Sequence, residues 1–508
     1  MNKLDSINKH TNIKPYIESK SLTVAQVYEF GGLNWEKNIC TKWDGKKIPF
    51  LWRKLHYENL IIIKDTTKKF YLTIDPLFNF EYGKILQDTS EKKLFKNTRG
   101  VLLRGNIGTK FSFESSFYEN QTTFVDYINK FNDTFLVVPG QGRWKKFKKN
   151  GYDYAMASGY VSYSPSRYFN FQLGHGKYFI GDGYRSLLLS DNTFNYPFLR
   201  ITSSYGKFQY TNLYTVFMNL ADDRVKIPYG TERLFQKKAG NFIFLSWNVH
   251  KHIQLGFYQG LIWTATDTMN KMHLRPNYFN PLIYMSSVEQ GLRGLNNILI
   301  GSTLKLKITN SISLYGQYMI DDFSTIVNSI HNKTGFQCGA KYFDIFKIKH
   351  LYLQVEYNYV RPYSYAHEKA EQNYSHYNQP LAHPLGANFK ETITFLNYRI
   401  GNFFAEIKFN YAIIGDDSIG KNFGNNIFNS DNTAYYGANS TKNKMGQGVK
   451  TILTYKEFHI GYLVNPATNL NIVIGASLRN KKIDSFENKS NFVYFGIRTS
   501  LNNFYYDF

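Results

Sequence analysis

Phe403-Phe404-Ala405-Glu406-Ile407-Lys408-Phe409-Asn410-Tyr411 reads as one strand of a membrane-spanning sheet. Successive side chains of an extended strand point to opposite faces. Phe403, Ala405, Ile407, Phe409 and Tyr411 therefore share one face, and Phe404, Glu406, Lys408 and Asn410 the other. The same period of two recurs over 304–309, 351–359 and 470–479. A soluble sandwich would bury the apolar face against a second sheet. A barrel turns that face to lipid and lines its lumen with the polar one. Length separates the two cases. Several segments alternate over the roughly 9–11 residues of a tilted spanning strand, whereas soluble strands usually stop near about 5–6.

Composition agrees. Of 508 residues, 18% are aromatic, with 41 Tyr and 42 Phe, as interfacial girdles demand. The hydrophobic fraction is 43% but mean hydropathy is −0.40. Aliphatic runs such as Leu60-Ile61-Ile62-Ile63 and Leu187-Leu188-Leu189 fall far short of the roughly 18 residues of a spanning helix. Only helices and closed barrels satisfy their backbone in lipid, so strands must do the crossing. The expected fold is all-β, a transmembrane outer-membrane β-barrel of about 16–18 antiparallel strands with long extracellular loops. The barrel is expected over 99–508, with polar connections at 360–391 and 415–447. Before it, 1–98 reads as an irregular segment with a periplasmic part and room for first strands. Residues 24–28 there suit the start of a short helix, and Trp35, Trp43 and Trp52 sit among polar neighbours.

The formal net charge is +23, from 61 Lys and Arg against 38 Asp and Glu. Lys-rich compositional drift and attraction to acidic glycan or lipopolysaccharide both fit this balance. Nucleic acid is not an expected partner, because the basic residues are scattered rather than gathered on one stripe. Cys40 and Cys338 match no zinc or CxxC spacing, and both a disulfide and two free thiols fit them. The first twenty residues lack the apolar core of an export signal. The cell outer membrane is nevertheless the expected location, with a mature or mis-assigned start.

Phe504, Tyr506 and Phe508 alternate at the end of the chain, as on the closing strand of an outer-membrane barrel. Upstream, Val493, Phe495, Ile497 and Leu501 keep the opposite phase. A bulge near Asn502-Asn503 is expected to reconcile the halves.

The most distinctive stretch is Gly174-His175-Gly176-Lys177-Tyr178-Phe179-Ile180-Gly181-Asp182-Gly183-Tyr184-Arg185-Ser186-Leu187-Leu188-Leu189-Ser190-Asp191-Asn192, continuing through Tyr196-Pro197-Phe198-Leu199-Arg200-Ile201. Glycines at this density let the backbone turn tightly. A hydroxyl-rich ligand and a self-satisfied loop folded into the lumen both suit the polar groups. As a polysaccharide site, the candidate residues are Arg143, Trp144, Lys177, Asp182, Arg185, Asp191 and Asn192. His175, Asp182 and Ser186 have the residue types of a hydrolase triad, but Gly-x-Ser-x-Gly is absent and no catalytic residue is expected. Gly140-Gln141-Gly142-Arg143-Trp144 lacks the Lys-Ser/Thr of a phosphate loop and reads as a hairpin turn. His367, His376 and His383, with Glu368 and Glu371, match no metal spacing; neither metal nor cofactor is expected.

The block from Gly174 to Ile201 resembles the signature of the capsule-assembly Wzi family of outer-membrane barrels. More closely, the chain is similar to the gliding-motility RemB proteins of Bacteroidota. That likeness runs through Arg99 to Gln121, Val138 to Trp144, Arg361-Pro362-Tyr363, Asn378-Gln379-Pro380-Leu381-Ala382-His383-Pro384-Leu385-Gly386 and Arg498 to Phe508. The Wzi resemblance implies a barrel of about 18 strands with a lectin-like hold on capsular polysaccharide. The RemB resemblance implies a part in gliding or adhesion, with gliding or secretion machinery proteins as partners. The implied surroundings are outer-membrane lipid and lipopolysaccharide. The rival expectation is a pore or transport channel lined by the polar strand faces.

Overall fold

The computed structural model describes residues 49–508 except 87–92, 221–224, 227–232, 267–271, 273–275, 438–439, 485 and 502–503. Its 18 main strands are antiparallel and close into a barrel. The first six are β1 (Phe70–Ile85), β2 (Lys93–Ile107), β3 (Phe111–Thr123), β4 (Gly151–Tyr163), β5 (Phe169–Gly176) and β6 (Tyr196–Tyr205). The next six are β7 (Phe208–Met218), β8 (Lys237–His250), β9 (Ile253–Thr264), β10 (Asn297–Lys307), β11 (Ile312–Asp322) and β12 (Lys333–Phe343). The last six are β13 (Leu351–Val360), β14 (Phe389–Ile400), β15 (Phe403–Asp416), β16 (Val449–Asn465), β17 (Leu470–Ile483) and β18 (Phe486–Arg498). Among the described residues, α1 (Phe50–His56) precedes the strands, and α2 (Asp126–Phe135) and α3 (Met285–Gln290) lie in connections between them.

Each strand pairs with its successor, and β18 returns to β1 from Asn79↔Arg498 to Ile85↔Phe492. The region 1–98, irregular by its sequence pattern, thus holds β1 and the start of β2. β18 reaches only part of the β1 edge. The short strand Ile61–Asp65 pairs with the far part of that edge, from Ile61↔Ile74 to Asp65↔Phe70. Trp52 lies in α1. Residues 24–28, Trp35, Trp43 and Cys40 fall outside the described residues, and Cys338 is an exposed free thiol on β12.

Turns 108–110, 206–207, 251–252 and 401–402 lie at one end, and Gly206 and Gly401 make theirs with φ of 57° and 56°. Connections 124–150, 177–195, 265–296, 361–388 and 417–448 lie at the other. Outer-membrane barrels keep short turns on the periplasmic side, so the long connections face outward. The alternation sets the two faces of the wall. Phe80, Phe117, Leu173, Ile460, Ile474 and Phe495 are exposed on the outside, while Asn120, Gln172, Gln337, Glu356 and Glu391 are buried on the inside. The largest hydrophobic cluster lies within the lumen, where Leu187, Leu188 and Leu189 meet Phe242, Tyr258, Leu381 and Ile427.

The chain's last residues depart from expectation. They do not form the closing strand, which is β18 and stops at Arg498. Thr499 N donates to Phe78 O at 2.9 Å, Phe78 N donates to Thr499 Oγ1 at 3.0 Å, and the chain then turns inward. Leu501 and Phe504 pack on Leu77, Leu102, Tyr118 and Met156. The Tyr506 ring lies 6.1 Å from Phe124, and Phe508 lies 5.0 Å from Phe131 of α2. Since α2 belongs to an outward connection, the tail crosses the lumen from end to end. The phase break explains this. A lipid-facing continuation would strand the polar groups of Tyr505 and Asp507, whereas the lumen supplies partners for both. The bulge expected at Asn502-Asn503 falls outside the described residues.

Candidate functional site

Between β5 and β6, residues 177–195 leave the wall and fold into the lumen. Ile180 N donates to Leu189 O at 2.9 Å, and Ser186 Oγ donates to Ile180 O at 2.6 Å. Gln317 of β11 accepts from Leu187 N at 2.8 Å, and Ser190 N reaches Leu381 O of the 361–388 connection at 2.7 Å. Glycine is required where the loop passes the inward strand side chains. A Cβ on Gly183 would stand 2.5 Å from Glu356 Oε2. At Gly181, with φ 138°, it would stand 2.1 Å from Gln317 Nε2.

Arg185 is the hub of the lumen and is 0% exposed. Its Nη2 donates to Asp507 Oδ1 at 2.8 Å and reaches Glu391 Oε1 at 3.5 Å. The Tyr184 and Tyr505 rings cover the guanidinium, with centroids at 4.8 and 4.9 Å. Its backbone is held as tightly: Tyr184 N and Arg185 N donate to the two oxygens of Glu356 at 2.7 and 3.0 Å. Glu391 also accepts from Asn410 at 2.8 Å and from His383 Nε2 at 2.6 Å. Burial lowers the His383 pKa, although Glu391 opposes the shift. Its Nδ1 accepts from Leu385 N at 3.2 Å, which fits a neutral ring protonated at Nε2. Asp507 approaches Lys408 Nζ at 3.5 Å, and Lys408 pairs with Glu457 at 2.8 Å.

The other candidate residues have partners in their own chain. Asp182 accepts from Lys305 at 2.6 Å. Burial opposes the Asp182 charge, but Lys305 and Lys341 hold its pKa below the usual carboxylate range. Asp191 accepts from Tyr505 Oη at 2.6 Å, and Asn192 donates to Pro380 O at 3.1 Å. Lys177 Nζ donates to Gly140 O at 2.5 Å and lies 5.2 Å from the Phe504 ring. Burial brings its pKa down to about 8. Trp144 Nε1 donates to Asn132 O at 3.0 Å. Arg143 is exposed at the outward end, over the Phe235 ring at 5.2 Å.

The structure therefore brings Lys177, Asp182, Arg185, Asp191 and Asn192 into the lumen and leaves Arg143 and Trp144 at its outward mouth. It does not assemble Ser186, His175 and Asp182: Ser186 serves Ile180, His175 faces Ala157 O at 3.2 Å, and Asp182 serves Lys305. His367, His376 and His383 also diverge. His367 accepts from Lys369 N, and His376 sits between Met218 N and Asn195 O. Glu356, Asn358, Glu391 and Asp507 belong to the network but were absent from the candidate set. For the three strand residues the signal is the polar phase of the strand, which for β13 holds Glu356 and Asn358; Asp507 lies in the tail, outside any strand.

At the outward end, Lys145, Lys146, Lys148 and Lys149 are exposed. So are Tyr435 and Tyr436, whose rings lie 5.1 Å apart, with Lys421 Nζ 5.1 Å over Tyr435.

No known family model matches the sequence, and no curated protein matches it. Similar solved structures include Wzi, an outer-membrane protein involved in group 1 capsule assembly in Escherichia coli and described as a carbohydrate-binding β-barrel. It is 14% identical with a TM-score of 0.48, and the match covers 84% of this chain and 85% of that one. OccAB2 of Acinetobacter baumannii is 10% identical, with a TM-score of 0.45 and coverage of 84% and 98%. OprD of Pseudomonas aeruginosa is 10% identical, with a TM-score of 0.43 and coverage of 85% and 96%. The assignment as a closed barrel rests on this chain's own strand pairing.

Proposed function

We propose that this chain is a non-enzymatic outer-membrane barrel that binds acidic surface polysaccharide through its outward loops and does not conduct. The filled lumen carries this reading. Loop 177–195 and the C-terminal tail occupy the space that a channel needs, with Arg185 of the loop paired to Asp507 of the tail and Asp182 to Lys305 of the wall. The outward loops remain as the working surface. There the exposed Tyr435 and Tyr436 suit stacking on sugar rings, and Arg143 with the neighbouring lysines suits uronate or phosphate groups. Adhesion or gliding contacts would use the same surface.

Purified barrel applied to acidic and neutral glycans, with conductance recorded in parallel in planar bilayers, tests the reading. Retention of acidic glycans with electrical silence is expected. Steady ion current with no glycan retention would instead identify a pore.

A further inference from the structure

The connection 265–296 contains a segment that folds outward over the wall, unlike loop 177–195. Tyr258 and Ile262 of β9 face the lumen cluster, so Trp263, in the opposite phase, faces outward. Its ring meets Tyr278 and Phe279 at 5.1 and 5.8 Å. From there the segment descends along β7, where Tyr214 Oη donates to Phe279 O at 3.1 Å and Tyr210 Oη bonds Pro281 O. Tyr210 lies close to turn 206–207 at the short-turn end, so the segment crosses most of the wall.

Irregular backbone at membrane depth is tolerated only when its polar groups find protein partners. This segment meets the condition. Asn241 of β8 donates to Tyr278 O at 2.9 Å and Asn280 O at 3.1 Å, the two tyrosines supply Phe279 O and Pro281 O, and Ile283 N donates to Tyr210 Oη at 2.9 Å. Its outer side carries exposed apolar residues, Leu282 at 61%, Met285 at 38% and Val288, on α3, at 79%, with the charge of Glu289 exposed beside Val288. The wall on either side continues as the lipid-facing surface of the barrel.

We propose that this segment is an apron seated in the bilayer, with Leu282 and Val288 against lipid acyl chains. This rests on the outer-membrane reading above. The test compares Val288→Trp and Leu282→Trp with Ile474→Trp, an exposed position on the outer face of β17. Each variant and the parent is reconstituted in phosphatidylcholine vesicles with and without brominated acyl chains. The added fluorescence at 288 and 282 is expected to lose as much intensity to bromine as that at 474. Quenching at 474 without quenching at 288 and 282 would overturn the apron, assigning its face to water or to a second copy. Absence of quenching at all three positions would overturn the membrane reading and the apron with it. Using two apron positions guards against one variant failing to fold.

Discussion

Arg185 and Asp507 lie 322 residues apart in sequence and meet at 2.8 Å inside the barrel, each with no exposed side-chain surface. Neither belongs to the wall. The contact joins a loop folded in from one strand connection to a tail that turns in after the last strand. Removing one partner of a buried pair leaves the other charge uncompensated, typically at several kcal/mol. Asp507→Asn should therefore lower the stability of the folded barrel by about 3 kcal/mol. The urea midpoint in detergent micelles, read from heat-modifiable gel migration, measures this. Adding Arg185→Met should recover much of the loss; an unshifted midpoint in the single variant would show that the pair is energetically idle.

The same contact predicts an acid limb. Burial opposes ionisation of Asp507, but Arg185 and Lys408 outweigh it and hold the carboxyl at about 2. An unfolded Asp titrates near ~3.9. The folded pKa is depressed, so the stabilisation is fully present above the unfolded value and fades as pH falls toward the folded one. Its size at neutral pH is about 2–3 kcal/mol. Unfolding midpoints measured between neutral pH and pH 3 should drop more in the parent than in Asp507→Asn. Equal drops would place the acid sensitivity elsewhere.

The leucine run is testable by truncation. Leu188 is fully buried in the lumenal cluster, and Leu188→Ala should cost about 2–5 kcal/mol through lost burial and the cavity left behind. Denaturant unfolding reads this directly. A cost near that of a surface substitution would mean that the loop is not packed as described.

Shortening the chain before Leu501 removes the tail while leaving β18 intact. Electrical silence in the parent and intermittent current in the shortened barrel are the expected outcomes in planar bilayers. Continued silence would assign the closure to loop 177–195 and the 361–388 connection alone.

The wall was the most legible part of the molecule. Phe403 to Tyr411 alternate as written, and β15 places Phe403, Ile407 and Phe409 outward while burying Lys408 and Asn410. Period two is enforced residue by residue, because lipid on one face and packed protein on the other leave no tolerance for slip. The lumen was less legible. Arg185 finds its partners on β14 and in the tail, and no local pattern encodes a contact across so much intervening chain. The tail misled for a related reason. Phe504, Tyr506 and Phe508 keep strand-like spacing, but Tyr505 and Asp507 between them carry the groups that draw the chain inward. Gly181 and Gly183 were legible as turn formers, whereas their crowding against Gln317 and Glu356 appears only in three dimensions.

The short strand Ile61–Asp65 has its own consequence. Beyond the reach of β18, it occupies the rungs of β1 from Phe70 to Ile74. Unoccupied, those amides and carbonyls would form an open template at the short-turn end of the barrel, the kind of edge that recruits foreign strands and seeds aggregates. The pentapeptide satisfies those groups and carries the edge itself, where the charges of Lys64 and Asp65 disfavour foreign pairing, so its loss should show first as clumping of otherwise folded barrels rather than as unfolding.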